Sequence, residues 1–319
     1  MGEFELIRQY FAAAACARAG GDVVLGIGDD CALLAVPPGE QLAISTDSLT
    51  VGVHFPDRCD PYLLGQRALA VSTSDLAGMG ATPIGFTLAL TLPSVDPDWL
   101  AEFTRGLETM AAGCAMRLIG GDTTRGPLSM TLTVFGRLPA GAALLRSGAR
   151  PGDLLCVGGA LGDAAGALPI VLGERPADSA QASALLRRYW SPQPQLALGQ
   201  ALRGRATAAL DISDGLLADC AHIAGASGVA LQIEQARLPF SDALLAVAGA
   251  ERALQHALAG GDDYLLAFTL PSAELLSLLD EGWPVHVIGR VSAGDGVQLL
   301  DSNGSAVTVS HRGFNHFKT

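Results

Sequence analysis

The order of apolar and polar positions predicts alternating helices and strands in the first 139 residues. Phe4, Ile7, Phe11 and Ala15 recur at helical spacing and predict an amphipathic helix over residues 3–19. Short apolar runs that end at Gly, Pro or Asp predict strands instead. We expect further helices over residues 61–78 and 96–114, and strands over residues 23–27, 31–36, 42–46, 84–92 and 128–138.

The remaining residues repeat this alternation after a segment, 139–152, that is rich in Gly, Ala and Arg. We expect strands over residues 153–157, 208–212, 229–233, 265–270 and 285–291, and helices over residues 163–172, 177–190, 194–203, 213–226, 240–248 and 271–280. Because strands alternate with helices in both parts, the pattern predicts an α/β (α+β) fold of two domains, residues 1–139 and 140–319.

Aspartates recur beside glycine or hydroxyl residues where predicted elements end. The first such stretch is Gly26-Ile27-Gly28-Asp29-Asp30. Four similar stretches follow along the chain: Ser45-Thr46-Asp47, Ser74-Asp75, Gly120-Gly121-Asp122 and Asp211-Ile212-Ser213-Asp214-Gly215. Any one of these aspartates is readily explained as a helix cap or a turn residue. Together, Asp30, Asp47, Asp75, Asp122 and Asp214 predict one site where carboxylates hold Mg²⁺ ions and the ions neutralise phosphates.

The charge composition narrows the class of function. The net charge of −12 argues against a nucleic-acid binder, because phosphate contacts dominate that affinity. Lys318 is the only lysine, which excludes the interior Gly-Lys-Ser/Thr of a Walker A loop. Of the 32 acidic residues 22 are aspartates, the type that favours turns and hard cations.

The cysteine spacing and the apolar runs indicate a protein of the reduced cytoplasm. Six cysteines stand without any Cys-x-x-Cys pair, which favours neither a zinc site nor a disulfide framework. No apolar run approaches the ~20 residues of a membrane helix, and residues 1–10 do not resemble a signal peptide. We therefore expect a cytoplasmic location and no membrane contact.

Each of three further features has two possible explanations. His54 lies in residues 48–58, which have no clean period, and is either a polar packing residue or a hydrogen-bonding group for a substrate. Arg146 and Arg150 are either solvated or, in a chain with one lysine, the cations that meet phosphates. The turn at residues 158–162 is either a tight turn or a glycine loop for phosphate.

Six motifs in this order resemble one known family. They are Gly-Ile-Gly-Asp-Asp at 26–30, Ser-Thr-Asp at 45–47, His54-Phe55, Ser-Asp-Leu-Ala-Gly-Met-Gly at 74–80, Gly-Gly-Asp-Thr at 120–123 and Asp-Ile-Ser-Asp-Gly-Leu at 211–216. The chain resembles the thiamine-monophosphate kinases, which belong to the ATP-dependent superfamily of aminoimidazole ribonucleotide synthetase. The resemblance covers nearly the whole chain.

The resemblance implies that Mg²⁺ ions and ATP serve a phosphoryl transfer to thiamine monophosphate, which gives thiamine diphosphate and ADP. It also implies a homodimer whose N-terminal domains form a shared β-barrel, with the active site between the N- and C-terminal domains. The nucleophile would be a substrate phosphate oxygen, which is largely ionised at pH 7 and needs no strong base. We expect direct in-line transfer without a phosphoenzyme.

The resemblance also implies roles for individual residues. Those that look like Mg²⁺ ligands are Asp30, Ser45, Thr46, Asp47, Asp75, Asp122, Asp211 and Asp214, of which Asp47, Asp75, Asp122 and Asp214 would be catalytic. Those that look like ATP contacts are Gly121, Asp122, Arg146 and Ser213. Those that look like substrate contacts are His54, Asp262 and one aromatic residue, Phe314 or Phe317.

Three positions depart from the family pattern. Leu265 follows the Gly-Gly-Asp-Asp-Tyr turn at 260–264 where the family usually has Glu, which puts a polar role there in doubt. Asp262 stands where Glu is common, and Cys31 where Ala is expected.

Other functions remain open at this point. Selenophosphate synthetase needs a Cys or selenocysteine in a glycine-rich loop before residue 26, and hydrogenase maturation proteins need a C-terminal Cys. This chain has neither feature. Aminoimidazole ribonucleotide synthetase itself, which would catalyse a ligase-type cyclisation, and a non-catalytic nucleotide-binding regulator are the remaining alternatives.

Overall fold

The computed structural model describes residues 2–309 and Gly313, with the backbone alone at Glu3 and Phe4. The chain forms two compact units, Met1–Leu76 with Ala81–Gly141, and Ala77–Gly80 with Ala142–Thr319. The boundary at Gly141 lies close to the one predicted after residue 139. In the described part of the chain, no helix combines the length and the apolar character that a membrane span requires.

The first unit contains α1 (Glu3–Leu6), a π-helical turn (Ile7–Phe11), a 3₁₀ turn (Ala15–Ala17), β1 (Val23–Leu25), β2 (Leu33–Leu34), β3 (Glu40–Thr50), α2 (Pro61–Gly78), β4 (Thr82–Leu92), α3 (Pro97–Gly113), β5 (Arg117–Arg125) and β6 (Ser129–Pro139). Among the described residues, β3, β6, β4 and β5 form one sheet in that order. Only the β4–β5 pair is parallel in this sheet.

One face of this sheet is buried and the other is open. Along β6, Met130, Leu132 and Val134 are fully buried, while the residues between them are half-exposed. Gly136 continues the buried series, and a Cβ at this position would come within 3.0 Å of the Leu76 side chain of α2. The buried face of the sheet therefore packs against α2, as the period of two in the sequence predicts.

Two glycines let α2 and α3 pack in close contact. A Cβ at Gly65 would lie 2.2 Å from the carbonyl oxygen of Phe103, and one at Gly106 would lie 2.0 Å from that of Tyr62. Since real Cβ atoms do not approach so closely, only glycine fits at either position. Asp96 caps α3 by accepting hydrogen bonds from the backbone N–H groups of Asp98 and Trp99, at 3.0 and 3.1 Å.

The long helix predicted over residues 3–19 does not form. The backbone is α-helical only to Leu6, passes through the π-helical turn, and is extended at Ala14. The Ala15 N–H donates to the side chain of Glu108 on α3. This tertiary hydrogen bond replaces the one a continuous helix would supply, so the high helix propensity of the alanines is overridden.

The second unit contains β7 (Leu154–Val157), α4 (Asp163–Val171), α5 (Ala180–Trp190), α6 (Leu196–Leu202), β8 (Ala208–Asp211), α7 (Leu216–Ser227), β9 (Ala230–Glu234), a 3₁₀ turn (Gln235–Arg237), α8 (Asp242–Ala248), α9 (Ala250–Ala259), β10 (Leu266–Leu270), α10 (Ser272–Asp280), β11 (His286–Ser292), β12 (Gly296–Leu300) and β13 (Ala306–Val307). Its sheet follows the order β13-β12-β9-β11-β7-β10-β8 within the described residues.

Both faces of the second sheet are covered. Neighbouring residues of one strand belong to different hydrophobic clusters: Leu155 and Val157 lie on one side, and Cys156 lies on the other. The same division separates Ala267 from Phe268 in β10. Burial on two faces explains why these strands are continuous apolar runs rather than alternating ones.

Candidate active site

Ser45, Asp47 and Asp75 form a group in the first unit. Ser45 and Asp47 lie two residues apart on β3 and therefore share the face of the sheet that packs against helices. Asp75 lies on α2, and its Oδ2 accepts a hydrogen bond from the hydroxyl of Ser45. Ser72 of α2 lies close enough to the Asp47 carboxylate to favour its ionised form and to lower its pKa. The β3–α2 packing thus places two carboxylates and a hydroxyl side by side.

The electrostatics of this group fit a divalent cation. Burial, and next the charge of Asp75, raise the pKa of Asp47 from 3.8 to about 6. Two neighbouring carboxylates resist simultaneous ionisation unless a cation lies between them. Carboxylate and hydroxyl oxygens are ligands that Mg²⁺ accepts, so Asp47, Asp75 and Ser45 would suit this ion.

The side chain of Thr46 lies on the opposite face of the sheet from its two neighbours. Its hydroxyl is 2.9 Å from that of Thr133 on β6, and the next outward pair, Ser48 and Thr131, is 2.7 Å apart. The hydroxyl of Thr46 therefore does not join the Asp47–Asp75 group, and its assignment as a metal ligand stays a prediction.

His54 lies in a short turn that closes directly after β3. The Gly52 N–H donates to the carbonyl of Phe55 at 2.8 Å, and the buried ring of Phe55 anchors the turn. The backbone N–H of Thr50 donates to His54 Nδ1 at 3.0 Å. Because Nδ1 is an acceptor, the imidazole carries its proton on Nε2.

Asp30, Gly121 and Asp122 line a cavity of about 690 Å³ in the first unit. Asp29 also lines it, and its Oδ1 accepts the N–H of Asp30 at 2.9 Å, which stabilises the turn. Arg8 contributes a cation to the lining of this cavity. Arg8 was not predicted as a site residue, because it lies inside the helix predicted over residues 3–19, where the structure has a π-helical turn. The cavity combines carboxylates for metal ions with a guanidinium that suits phosphates.

The Gly-Gly-Asp motif lies inside a strand rather than at the end of an element, where we expected it. Gly121 belongs to β5 and pairs with Leu88 of β4. Its φ is +151°, and a Cβ would lie 1.9 Å from the carbonyl oxygen of Leu88. Glycine is therefore required for β5 to approach β4 and to present Asp122 beside the cavity.

Asp211, Ser213 and Asp214 lie at the end of β8 in the second unit. We predicted that the following helix begins at Ser213, but α7 begins at Leu216. No side chain caps α7 at Gly215; the buried side chain of Asp219 instead binds the turn that precedes the helix. Its Oδ2 accepts the N–H groups of Ser213, Asp214 and Gly215 at 3.0, 3.0 and 3.1 Å. Asp219 therefore fixes the turn that carries Asp214.

Asp219 was not predicted as a supporting residue, because it lies inside the helix predicted over residues 213–226 and not at its start. Burial raises its pKa to about 6, although the three N–H donors favour the ionised form. An acidic residue four positions after a Ser-Asp-Gly turn is the sequence signal that could have found it.

Asp262 lies in a second turn that is hydrogen-bonded to the end of β8. The N–H of Asp262 donates to the Ser213 carbonyl, and the N–H of Tyr264 to that of Ile212, both at 2.8 Å. Leu265 is buried in the core of this unit, which agrees with an apolar residue there.

The segment of Arg146 is fixed by one serine. The Ser227 hydroxyl donates to the Arg146 carbonyl at 3.2 Å and accepts the N–H groups of Gly148 and Ala149 at 3.1 Å each. The Arg146 side chain is exposed. Phe314 and Phe317, the aromatic candidates, lie outside the described residues.

The structure brings the predicted site residues together as separate groups within each unit. Asp47 and Asp122 lie on the two edge strands of the first sheet, with β6 and β4 between them. Among residues 2–309 and Gly313, no cluster of three or more His, Cys, Asp or Glu side chains is arranged to hold a metal ion. The convergence of all the aspartates on one site stays a prediction.

Comparison with known proteins identifies the class and then the family. Residues 28–138 match the family model of the AIR synthase related protein, N-terminal domain, and residues 150–302 match that of the C-terminal domain. The fold and the site therefore define an AIR synthase related protein.

Three relatives identify the family more closely. The thiamine-monophosphate kinase of Escherichia coli (strain K12) is 47% identical over 100% of this chain and 99% of its own length. The crystal structure of the thiamine-monophosphate kinase from Stenotrophomonas maltophilia K279a is 44% identical, with a TM-score of 0.83 over 90% of this chain and 92% of that one. A structure described as AaThiL complexed with AMPPCP and TMP is 30% identical, with a TM-score of 0.80 over 91% and 92%. This chain belongs to the thiamine-monophosphate kinase family.

Proposed function

We propose that this protein transfers the γ-phosphoryl group of ATP to thiamine monophosphate, giving thiamine diphosphate and ADP, with Mg²⁺ as the metal. The observation that carries the proposal is the pair of neighbouring carboxylates, Asp47 and Asp75, next to the Ser45 hydroxyl. The family of the chain supports the choice of reaction, since relatives along its whole length are named for this kinase activity. The AMPPCP and TMP bound by one relative support the choice of ligands.

The chemistry suits a site of carboxylates. The acceptor is a phosphate monoester, whose second pKa near 6 leaves it largely dianionic at pH 7, so the protein needs no strong base. Positioning and charge neutralisation supply most of the catalysis in phosphoryl transfer. Bound Mg²⁺ would supply the positive charge that lets two polyanions approach. Asp47, Asp75 and Ser45 would hold it, and their packing between β3 and α2 fixes their positions in advance.

The proposal assigns the other predicted residues by their motifs. Further metal ligands are Asp30, Thr46, Asp122, Asp211 and Asp214. Contacts to ATP are Gly121, Asp122, Arg146 and Ser213. Contacts to thiamine monophosphate are His54, Asp262 and either Phe314 or Phe317. The cavity beside Asp30 and Asp122 supports a nucleotide there, because Arg8 and Gly121 line the same cavity.

The transfer is direct, with an oxygen of the acceptor phosphate displacing ADP in line. No residue carries the phosphoryl group in between. Rapid quenching during turnover with γ-labelled ATP tests direct transfer, since a phosphorylated protein trapped in this way would contradict it. Ping-pong kinetics would contradict direct transfer as well.

A homodimer whose first units share a β-barrel is part of the proposal. The open face of the first sheet supports it, because Leu42 and Ile44 on β3 are 39% and 57% exposed. The strand β3 is also an unpaired edge within the described sheet, which favours pairing with another copy. A cytoplasmic location is supported by the cysteines, since all six lie in the described residues and are free thiols.

ADP release in the presence of Mg²⁺ and a panel of acceptors tests the reaction. Thiamine monophosphate should give ADP and thiamine diphosphate in equal amounts, while thiamine, selenide and formylglycinamidine ribonucleotide should give none. The Asp75→Ala variant should be inactive, whereas Asp57→Asn, which changes an exposed aspartate outside the site, should retain the wild-type rate. Turnover with another acceptor would assign a different member of the superfamily, and no turnover at all would favour a regulator.

A further inference from the structure

The turn that carries Asp262 has an unusual backbone. Gly261, Asp262 and Tyr264 all have positive φ angles, of +70°, +61° and +50°. A left-handed backbone is unfavourable for residues with a side chain, and such residues persist where the surrounding structure holds them. A Cβ at Gly261 would lie 2.6 Å from the carbonyl oxygen of Ser213, so this turn lies directly against the end of β8.

Hydrogen bonds hold the turn in this conformation. Asp262 and Tyr264 each donate a backbone N–H to the carbonyl groups of Ser213 and Ile212. Between them, the carboxyl Oδ1 of Asp263 accepts the N–H of Gly162 at 2.8 Å, which ties the turn to the start of α4. The backbone on both sides of Asp262 is therefore fixed before any ligand binds.

The side chain of Asp262 is oriented as well. The phenolic hydroxyl of Tyr264 donates a hydrogen bond to Oδ1 of Asp262, with a separation of 2.8 Å. Both residues are half-buried, so the hydrogen bond is partly shielded from water. Asp262 and Tyr264, both with a left-handed backbone, are thus joined by a hydrogen bond that helps to orient the carboxylate.

We propose that Tyr264 is a positioning residue that orients the Asp262 carboxylate toward the cationic heteroaromatic ring of the substrate. This inference rests on the proposed function, in which Asp262 contacts the thiazolium of thiamine monophosphate. A carboxylate that is already oriented loses less freedom when the cation binds. Tyr264 therefore acts on recognition of the acceptor and not on ATP.

The Tyr264→Phe variant removes the hydroxyl and keeps the ring and the backbone. Its KM for thiamine monophosphate should rise about three- to tenfold, the range expected for one lost hydrogen bond, while the KM for ATP stays at the wild-type value. The Asp262→Asn variant, whose side-chain oxygen still accepts from Tyr264, should raise the same KM further because the charge is lost.

A double-mutant cycle separates positioning from a structural role. If Tyr264 acts through Asp262, the Asp262→Ala/Tyr264→Phe protein should have the KM of Asp262→Ala alone, because the carboxylate that the hydroxyl orients is absent. Equal increases in both KM values, or additive effects in the double variant, would overturn the proposal. Calorimetric binding of thiamine monophosphate to each variant gives the same comparison when turnover is too slow to measure.

The wild-type protein separates this inference from the proposed function. Wild-type turnover of thiamine monophosphate with an unchanged KM in Tyr264→Phe would overturn the inference alone. A wild-type protein that neither binds nor turns over thiamine monophosphate would overturn both.

Discussion

Replacing Asp47 by asparagine should make the metal-free protein more stable while it abolishes catalysis. The folded state holds the Asp47 proton more tightly than the unfolded chain does, since the pKa rises from 3.8 to about 6 on folding. Ionisation of Asp47 therefore opposes folding. This cost is absent below pH 3.8, grows as the pH rises through about 6, and is complete at pH 7.5.

The size of the effect follows from the pKa. At about 1.4 kcal/mol per pH unit, the rise to about 6 corresponds to at most about 3 kcal/mol. The carboxyl is partly exposed, and screening by water reduces this to about 1–2 kcal/mol. A change of that size raises the melting temperature of the unit by about 2–8 °C.

Differential scanning calorimetry of the wild type and Asp47→Asn in EDTA, at pH 4.0, 5.5 and 7.5, measures the difference in melting temperature. The difference in melting temperature should be near zero at pH 4.0 and largest at pH 7.5, and the Asp57→Asn variant is the control for removing an exposed carboxylate. Adding Mg²⁺ at pH 7.5 should stabilise the wild type more than Asp47→Asn. The reasoning fails if Asp47→Asn is no more stable than wild type at pH 7.5, or if the difference does not depend on pH.

Three further predictions concern other parts of the protein. Asp75→Ala should lower kcat at least a thousandfold with a wild-type circular dichroism spectrum, and a variant that keeps a tenth of the rate would contradict the metal role. Asp219→Ala leaves three backbone N–H groups without their acceptor and should cost about 1–3 kcal/mol of stability in urea unfolding, whereas Asp219→Asn, which keeps one acceptor oxygen, should lose less. Ile44→Glu places a charge on the open face of the first sheet and should convert a dimer to a monomer in light scattering; an unchanged mass would place the interface elsewhere.

The elements that the sequence predicted best have strong local signals. Helix α2 spans the predicted residues, since Pro61 suits the first helical turn and Gly78 suits the last. The alternation of β6 likewise predicted which of its residues are buried. In contrast, the helix predicted over residues 3–19 does not form, because the backbone N–H of Ala15 donates to the side chain of Glu108, 93 residues away.

Other elements depend on contacts that no local pattern records. Helix α9 was not predicted, and β12 joins its sheet by pairing in parallel with β9, more than sixty residues earlier. The Gly-Gly-Asp motif looked like a turn because two glycines favour turns. Gly121 instead lies in a strand, and glycine is required there because a Cβ would collide with the carbonyl oxygen of Leu88 in the neighbouring strand.

Local sequence patterns account for only part of the arrangement of the candidate site. The spacing of Ser45 and Asp47 in a strand is enough to place them on one face. That Asp75 lies beside them follows only from the packing of α2. The supporting groups Asp219 and Tyr264 were missed because their roles depend on which backbone amides and side chains the fold brings to them.

Single turnover with ATP labelled at the γ-phosphate tests the central claim most directly. Protein in excess of labelled ATP, with Mg²⁺ and saturating thiamine monophosphate, should transfer the label to thiamine diphosphate in an amount equal to the ADP formed. The transfer should disappear in EDTA and in Asp75→Ala. Label that is released as inorganic phosphate, remains on the protein, or stays in ATP would contradict the account.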